Sequence, residues 1–402
     1  MMLIKSIKKT IKMLNKETLY TFGGIFVFNA TLQLIIYPLL NAYFKEDEFG
    51  IFIYFIGIIS ILAPAIGLST NNTRIVLNSR KEQTNGDYIH VLIIGILCSL
   101  IIISYFALRE DIEFVSVIYI EIAIFISILR YYSDVHYRQN MDYKRYFIYY
   151  CLLSFGYILG YFIAIHIDNI FIVPVIGESI AVFWVIINTD LYHSPLKCSP
   201  LKYLVNKECF YLMGSYLLSY SMMNLDRLVL KNMIGNEAVS RYYVLSLIGK
   251  SVAMIIAPVS TILIGKLSML DKDSRNALYS RIIRNLMILA LTFLIISIIG
   301  TPIFQILFYP NYPSESFLLI LLVNLGQVFY FTGSLILVVV LTMVEFYWQL
   351  LIQISYVVIA LLASICLCRI YGIEGFAFGM AIANIYRTIL AIIVGIRAHK
   401  KS

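Results

Sequence analysis

Long apolar runs, separated by short charged or turn-forming segments, recur along the whole chain. A membrane-spanning helix needs roughly 20 mostly apolar residues, and the runs between charged breaks have about this length. The pattern predicts twelve spans, near residues 19–40, 49–70, 88–108, 114–132, 146–165, 169–188, 208–228, 241–264, 282–302, 316–342, 346–369 and 373–396. The connecting loops are short, so the pattern predicts an all-α integral membrane protein.

Composition agrees with this class and excludes others. Of the 402 residues, 60% are hydrophobic and 13% are charged, whereas soluble domains are roughly 45–50% apolar and about 25% charged. Too little polar sequence remains for a secreted disulfide scaffold, a nucleic-acid-binding module or a soluble enzyme on a membrane anchor. The six cysteines form no CxxC pair, so neither a zinc site nor a redox motif is indicated. We therefore expect no metal and no cofactor.

The distribution of basic residues predicts the orientation. If the N-terminus is cytoplasmic, 23 Lys and Arg residues fall in loops on that side and six fall on the other. Because loops rich in Lys and Arg stay in the cytoplasm, both termini are expected there. This count treats Arg130 as a residue of a cytoplasmic loop. The lysines and apolar residues of the first 16 positions also suit an amphipathic helix on an anionic leaflet.

The chain also repeats itself weakly. Acidic turns at 44–52 and 234–242 each lead into an aromatic-rich helix, and an Ala-Pro pair follows each one, at 63–64 and 257–258. Six spans per copy is an even number, so both copies insert with the same orientation. We expect two six-helix bundles, residues 1–195 and 196–402, that face each other across a central cavity.

Charged side chains inside the predicted spans are the first functional candidates, because placing a charge in the membrane is costly. Lys250 and Arg387 lie near the predicted midplane in the second half, whereas Glu121 and Glu178 lie in the first half. Bases suit an anionic substrate, and buried acids suit a coupling proton or sodium ion. The alternative is that Lys250 and Arg387 only form structural ion pairs with Glu178 or Glu121.

A further charged pair, Asp226-Arg227, ends the seventh predicted span near the outer mouth. Its arginine can contact an anionic group, its own neighbour or lipid headgroups. The candidate substrate-binding residues are thus Arg227, Lys250 and Arg387, and the candidate ion-coupling residues are Glu121, Glu178 and Asp226.

Neither an ATP-driven motor nor an enzyme is indicated. Gly249-Lys250-Ser251 looks like the end of a P-loop, but Val244 occupies the earlier glycine position and the segment is apolar. The predicted outer loops are too short for an extramembrane catalytic platform, and the longer polar stretches lack paired acids or a nucleophile with a base. We expect no catalytic residues.

Several segments carry a resemblance to a known family. They are Asn224-Leu225-Asp226-Arg227-Leu228-Val229-Leu230, the turn Ile234-Gly235-Asn236-Glu237-Ala238, Tyr242-Tyr243, Lys266-Leu267-Ser268 and Tyr371-Gly372-Ile373-Glu374-Gly375 with Ala377 and Ala381. With twelve spans in two halves, the chain resembles the Wzx-type polysaccharide flippases of the MOP exporter superfamily, a MATE-like fold.

The resemblance implies a function that composition does not supply. It implies transfer of an undecaprenyl-pyrophosphate-linked oligosaccharide, an O-antigen or capsule-type repeat unit of lipopolysaccharide biosynthesis, across the bacterial inner membrane by ion-coupled alternating access. It implies membrane lipids, a coupling proton or sodium ion, and a polysaccharide polymerase with its chain-length regulator as partners, and no nucleic acid. Two alternatives remain open: a cation-coupled multidrug exporter of the same superfamily, and a membrane polysaccharide polymerase.

Overall fold

The computed structural model describes residues 16–78, 84–140, 142–193, 196–250, 272–312, 315–341 and 346–400, and nearly all of them are helical. The helices are α1 (Lys16–Ala30), α2 (Tyr37–Tyr43), α3 (Glu46–Asn78), α4 (Asn85–Arg109), α5 (Phe114–Ser133), α6 (Val135–Gln139), α7 (Tyr143–Ile167), α8 (Ile172–Asn188), α9 (Lys202–Met223), α10 (Leu225–Met233), α11 (236–250), α12 (Lys272–Phe308), α13 (Phe317–Leu341) and α14 (Phe346–Lys400). The predicted all-α class is confirmed.

Eight helical stretches of the described residues are long and apolar enough to cross a membrane, judged by length and composition. They are Gly23–Tyr43, Glu46–Ile75, Asn85–Arg109, Phe114–Gln139, Tyr143–Ile167, Arg281–Phe308, Phe317–Leu337 and Leu351–Arg397. The chain is therefore a multi-pass membrane protein. The count of twelve spans stays a prediction, and part of the predicted span 241–264 lies outside the described residues.

Two backbone irregularities divide long helices. A π-helical turn, Thr31–Ile36, joins α1 to α2 just before Pro38, whose ring removes a backbone donor and disturbs the regular helical ladder. In α14, Gly372 has φ 59° and ψ −135°. Because L side chains rarely adopt a positive φ, glycine permits this break, which falls between two of the predicted spans, 346–369 and 373–396.

The chain forms two compact units, Met1–Leu228 and Val229–Ser402. In the first unit α9 packs on α3 and α4. The loop before α9 is fixed to the start of α4, because the Ser199 backbone N–H donates to Asp87 Oδ1 at 2.6 Å and the Thr84 hydroxyl donates to the Lys197 carbonyl. The compact division thus falls later in the chain than the predicted bundle boundary at 195/196, which stays a prediction.

Small residues let α7 and α8 approach closely in the first unit. A Cβ added to Gly156 would lie 2.9 Å from the Gly177 Cα, and one added to Gly160 would lie 2.7 Å from the Val173 carbonyl oxygen. Such close approach is the usual way in which membrane helices gain packing contacts. It also places the Tyr157 ring directly against Gly177, one residue before Glu178.

The second unit is built around α13, which packs on α14 and α12. Its apolar core includes Leu335 and Ile336 of α13 with Ile352 and Val394 of α14, and all four side chains are buried. One face of α13 is polar instead, and that face holds the candidate functional site.

Candidate functional site

Arg387 is buried in α14, with only 3% of its surface exposed. Its Nη2 donates to the Ser334 hydroxyl at 2.8 Å and to the Tyr330 carbonyl. The guanidinium carbon lies 4.7 Å from the centre of the Tyr330 ring and 4.5 Å from that of the Tyr356 ring. Arg387 is therefore held between two aromatic rings, an arrangement that stabilises a cation.

No carboxylate of the described residues forms an ion pair with Arg387. The Nε of Arg387 is buried and has no hydrogen-bond partner among the described residues. A buried charge is costly unless an opposite charge and hydrogen bonds compensate it. The neutral groups around Arg387 hold the guanidinium in place without neutralising it, so this position suits an anion.

Buried amides extend the polar face on both helices. Asn324 of α13 donates through Nδ2 to the Thr301 hydroxyl at 3.0 Å, and Asn384 lies one helical turn before Arg387. The side-chain oxygens of both asparagines find no hydrogen-bond partner among the described residues. Because buried polar atoms are nearly always satisfied, these oxygens are expected to bind water or a polar ligand.

Lys250 lies beside the same stretch of α13. Gly249, the preceding residue, packs so closely that an added Cβ would lie 2.6 Å from Gln327 Cβ. Gln327 and Tyr330 are three positions apart and therefore share a helix face. The Lys250 ammonium lies 5.8 Å from the centre of the Tyr243 ring. The backbone just before Lys250 thus packs on α13 about one helical turn from Tyr330, whose carbonyl accepts a hydrogen bond from Arg387.

Asp226 and Arg227 lie in the first unit, at the start of α10. Asp226 is buried and Arg227 is partly buried. The aliphatic part of Arg227 packs on α3, where a Cβ added to Gly57 would lie 2.7 Å from Arg227 Cδ. The absence of a side chain at Gly57 therefore provides room for the arginine.

The two predicted intramembrane acids have different surroundings. Glu121 is partly buried and accepts a hydrogen bond from the Ser104 hydroxyl at 2.7 Å. Glu178 is 3% exposed and forms an ion pair with Arg130, while the Tyr157 hydroxyl donates to its Oε1 at 3.0 Å. The partner of Glu178 is therefore Arg130, and neither Lys250 nor Arg387 fills that role.

Arg130 corrects the sequence analysis. The charge pattern places Arg130 in a cytoplasmic loop, but the residue is 4% exposed and lies inside α5, with its guanidinium carbon 3.7 Å from the centre of the Tyr131 ring. The sequence contains a signal that would have found it. Arg130, Asp134 and Arg138 recur at intervals of four, which places alternating charges on one helix face.

Asp134 joins this charged row to neighbouring helices. It is buried, accepts hydrogen bonds from the Asn71 amide and, at 3.4 Å, from the Tyr146 hydroxyl, and lies 3.9 Å from Arg138 Nη1. These contacts connect α3, the α5–α6 turn and α7 at one end of the first unit. The sequence pattern alone indicates no role for Asp134.

The long apolar helices of the described residues define a multi-pass membrane protein, and its fold is similar to that of solved membrane transport proteins. The chain resembles a lipid II flippase MurJ in an inward closed conformation, with a TM-score of 0.70 and 17% identity over 96% of this chain and 89% of that one. It also resembles an inward-facing multidrug resistance MATE family transporter of the MOP superfamily, with a TM-score of 0.67 and 15% identity over 94% and 99% of the two chains.

A third solved structure, the Vibrio cholerae MATE transporter VcmN in the bent form, matches with a TM-score of 0.60 and 14% identity over 99% and 98% of the two chains. No family model matches the chain, and no curated protein matches its sequence. At these identities the likeness establishes the fold. The predicted MATE-like fold is confirmed at that level.

Proposed function

We propose that the protein is a flippase that moves an undecaprenyl-pyrophosphate-linked oligosaccharide across the bacterial inner membrane. The observation that carries this proposal is Arg387, a buried guanidinium with no carboxylate partner among the described residues. A pyrophosphate supplies the missing negative charge. Arginine presents a planar set of donors that matches phosphate oxygens.

The surroundings of Arg387 suit the rest of such a substrate. Lys250 adds a second positive charge beside α13, and Asn324 and Asn384 offer amide oxygens that can accept hydrogen bonds from sugar hydroxyls. Arg227 is the third basic group assigned to the substrate. Mutual neutralisation by Glu178 does not account for Arg387 or Lys250, because Glu178 pairs with Arg130.

Alternating access coupled to a proton or sodium ion completes the proposed mechanism. Glu121, Glu178 and Asp226 are its candidate coupling groups. Glu178 can take up a proton only by weakening its ion pair with Arg130, because the guanidinium stabilises the ionised carboxylate. Protonation of Glu178 would therefore disturb the packing of α5 against α8, which is a direct way to link an ion to a change in helix arrangement.

A multidrug exporter is the second candidate, and it is favoured by the likeness to MATE transporters. An exporter of cationic drugs needs a buried acid that is available to the drug. Glu178 is instead compensated by Arg130, and Arg387 would repel a cation. A membrane polysaccharide polymerase is the third candidate, and the short predicted outer loops, which leave little sequence for an extramembrane catalytic platform, count against it. The charges of the site favour an anionic substrate.

The proposal includes the finer features that the fold leaves open. These are twelve spans in two six-helix bundles, both termini in the cytoplasm, a Wzx-type substrate for O-antigen or capsule assembly, and no enzymatic activity. The proposed partners are membrane lipids, the coupling ion, and a polysaccharide polymerase with its chain-length regulator.

Deleting the gene tests the proposal. The deletion strain should lose one long-chain surface polysaccharide and retain its lipid-linked repeat unit in the cytoplasmic leaflet. If the repeat unit reached the outer leaflet and accumulated there without being polymerised, the polymerase reading would be correct. If the polysaccharide were unchanged and drug sensitivity rose, the exporter reading would be correct.

A further inference from the structure

A cavity of about 220 Å³ lies at one end of the first unit, lined by Ile75, Tyr137, Arg138, Tyr143 and Tyr146. All of its lining residues belong to the first unit, whereas Arg387 belongs to the second. Pockets for drug-sized molecules are roughly 300–1,000 Å³, so this cavity fits a single headgroup-sized moiety.

The cavity lies where three candidate spans end. Glu46–Ile75 ends at a lining residue, Phe114–Gln139 ends next to Arg138, and Tyr143–Ile167 begins at a lining residue. At about 1.5 Å of rise per residue, all the lining positions lie within a few ångströms of these span ends. The cavity is thus at the depth where lipid headgroups meet the protein, and where tyrosine is enriched.

Arg138 has unused hydrogen-bond donors at this position. Its side chain is 37% exposed. Its Nη1 donates to Asn71 Oδ1 at 3.1 Å and lies 3.9 Å from Asp134 Oδ1. Its Nε and Nη2 make no hydrogen bond with any residue that the structure describes. A guanidinium anchored through one nitrogen can present the other two to a phosphate.

The same buried carboxylate orients a second lining residue. Asp134 accepts a hydrogen bond from the Tyr146 hydroxyl at 3.4 Å and lies 3.9 Å from Arg138 Nη1. One buried carboxylate therefore contacts two of the residues that line the cavity. Outside the cavity, Lys144 is exposed and makes no ion pair with a described residue, and Arg145 lies 3.4 Å from Asp142. Because Asp142 balances the charge of Arg145, the net positive charge beside the cavity comes from Lys144, and it attracts anionic headgroups.

We propose that this cavity, referred to below as the α3/α6/α7 pocket, binds the phosphate group of a membrane lipid. The lipid is an anionic phospholipid or an isoprenoid phosphate, since both present the same phosphate at headgroup depth. Arg138 contacts the phosphate oxygens, and Tyr143 packs on the group next to the phosphate. The inference goes beyond the proposed function, because it concerns a second lipid site in the other unit.

Native mass spectrometry of the delipidated full chain in detergent tests the proposal. The probes are phosphatidylglycerol, undecaprenyl phosphate and, as the phosphate-free control, diacylglycerol. We expect one saturable equivalent of a phosphate lipid, weakened at least tenfold in Arg138→Gln and in Tyr143→Leu. The matched control is Arg145→Gln, which removes the same charge outside the pocket and should change binding less than twofold.

The outcomes separate the sources of phosphate. Binding of both lipids indicates a general headgroup site, and binding of undecaprenyl phosphate alone indicates a site for the carrier lipid. Either result supports the proposal if Arg138→Gln weakens binding at least tenfold. Equal losses in Arg138→Gln and Arg145→Gln would overturn it, as would equal binding of diacylglycerol. The thermal midpoint of each variant reports folding, and Tyr143→Leu gives the answer if Arg138→Gln is unstable. Because the assay involves no transport, its failure leaves the proposed function untouched.

Discussion

Arg130 of α5 and Glu178 of α8 form an ion pair in the interior of the first unit, where both side chains are at most 5% exposed. The Tyr157 hydroxyl donates a hydrogen bond to the other oxygen of the same carboxylate. The attraction between the two charges offsets part of the cost of burying them, and the pair connects α5 to α8.

Breaking this ion pair should destabilise the protein. Arg130→Gln leaves the Glu178 carboxylate buried without its counter-charge, which typically costs about 3–5 kcal/mol. The double variant Arg130→Gln/Glu178→Gln removes both charges and should recover most of this loss. The free energy of unfolding in detergent measures both effects.

Arg145→Gln is the control for this comparison, because Arg145 forms an exposed ion pair with Asp142 and exposed pairs contribute about 0–1 kcal/mol. A double variant no more stable than Arg130→Gln would show that the pair does not act as a unit.

Arg387 should be needed for function, whereas its substitution should leave insertion into the membrane unchanged. Arg387→Gln keeps hydrogen-bonding capacity towards Ser334 but removes the charge, so it should insert at normal levels and fail to restore the surface polysaccharide to a deletion strain. Arg387→Lys should restore it partly, because lysine keeps the charge and loses the planar fork. Arg369→Gln, an exposed substitution on the same helix, is the matched control and should restore it fully.

The ring of Tyr356, and not its hydroxyl, should stabilise the guanidinium. The hydroxyl is buried and has no hydrogen-bond partner among the described residues, so Tyr356→Phe should leave stability unchanged or slightly higher. Tyr356→Leu removes the aromatic face that lies 4.5 Å from Arg387 and should cost about 2 kcal/mol. Thermal unfolding of the two variants distinguishes them, and an equal loss in both would argue against the cation–π contact.

The predicted orientation of the chain in the membrane can be tested separately. If the basic loops lie in the cytoplasm, a reporter that is active only in the periplasm should be silent when fused after Ser274 and active when fused after Asn311. Activity at Ser274 would reverse the orientation and place the α3/α6/α7 pocket at the opposite membrane surface.

Hydrophobic pattern was sufficient to predict the helical membrane architecture, because a spanning helix must be apolar over most of its length. It also located the break at Gly372, where charged and glycine-rich residues interrupt the apolar run. The partners of the buried charges were harder to predict. Glu178 stood out as an acid in an apolar run, but its pairing with Arg130 depends on how α5 and α8 pack, which spacing along one helix does not determine.

Arg130 was misplaced for a related reason. It lies three residues before the end of α5, close enough to the span boundary to be counted with the loop that follows. The alternation of Arg130, Asp134 and Arg138 was visible in the sequence, yet only the structure shows Asn71 and Tyr146 converging on Asp134. Arg387 was found because an arginine inside an apolar helix has few structural explanations.

Reconstituted flipping tests the central claim most directly. Purified protein in liposomes should move undecaprenyl-pyrophosphate-linked oligosaccharide from the inner to the outer leaflet, detected by a sugar-modifying enzyme added outside. Arg387→Gln should reduce the rate at least tenfold, and Arg369→Gln should not change it. Two results would contradict the account. One is that the unmodified protein does not flip the substrate under an imposed proton or sodium gradient. The other is that Arg387→Gln flips it equally fast.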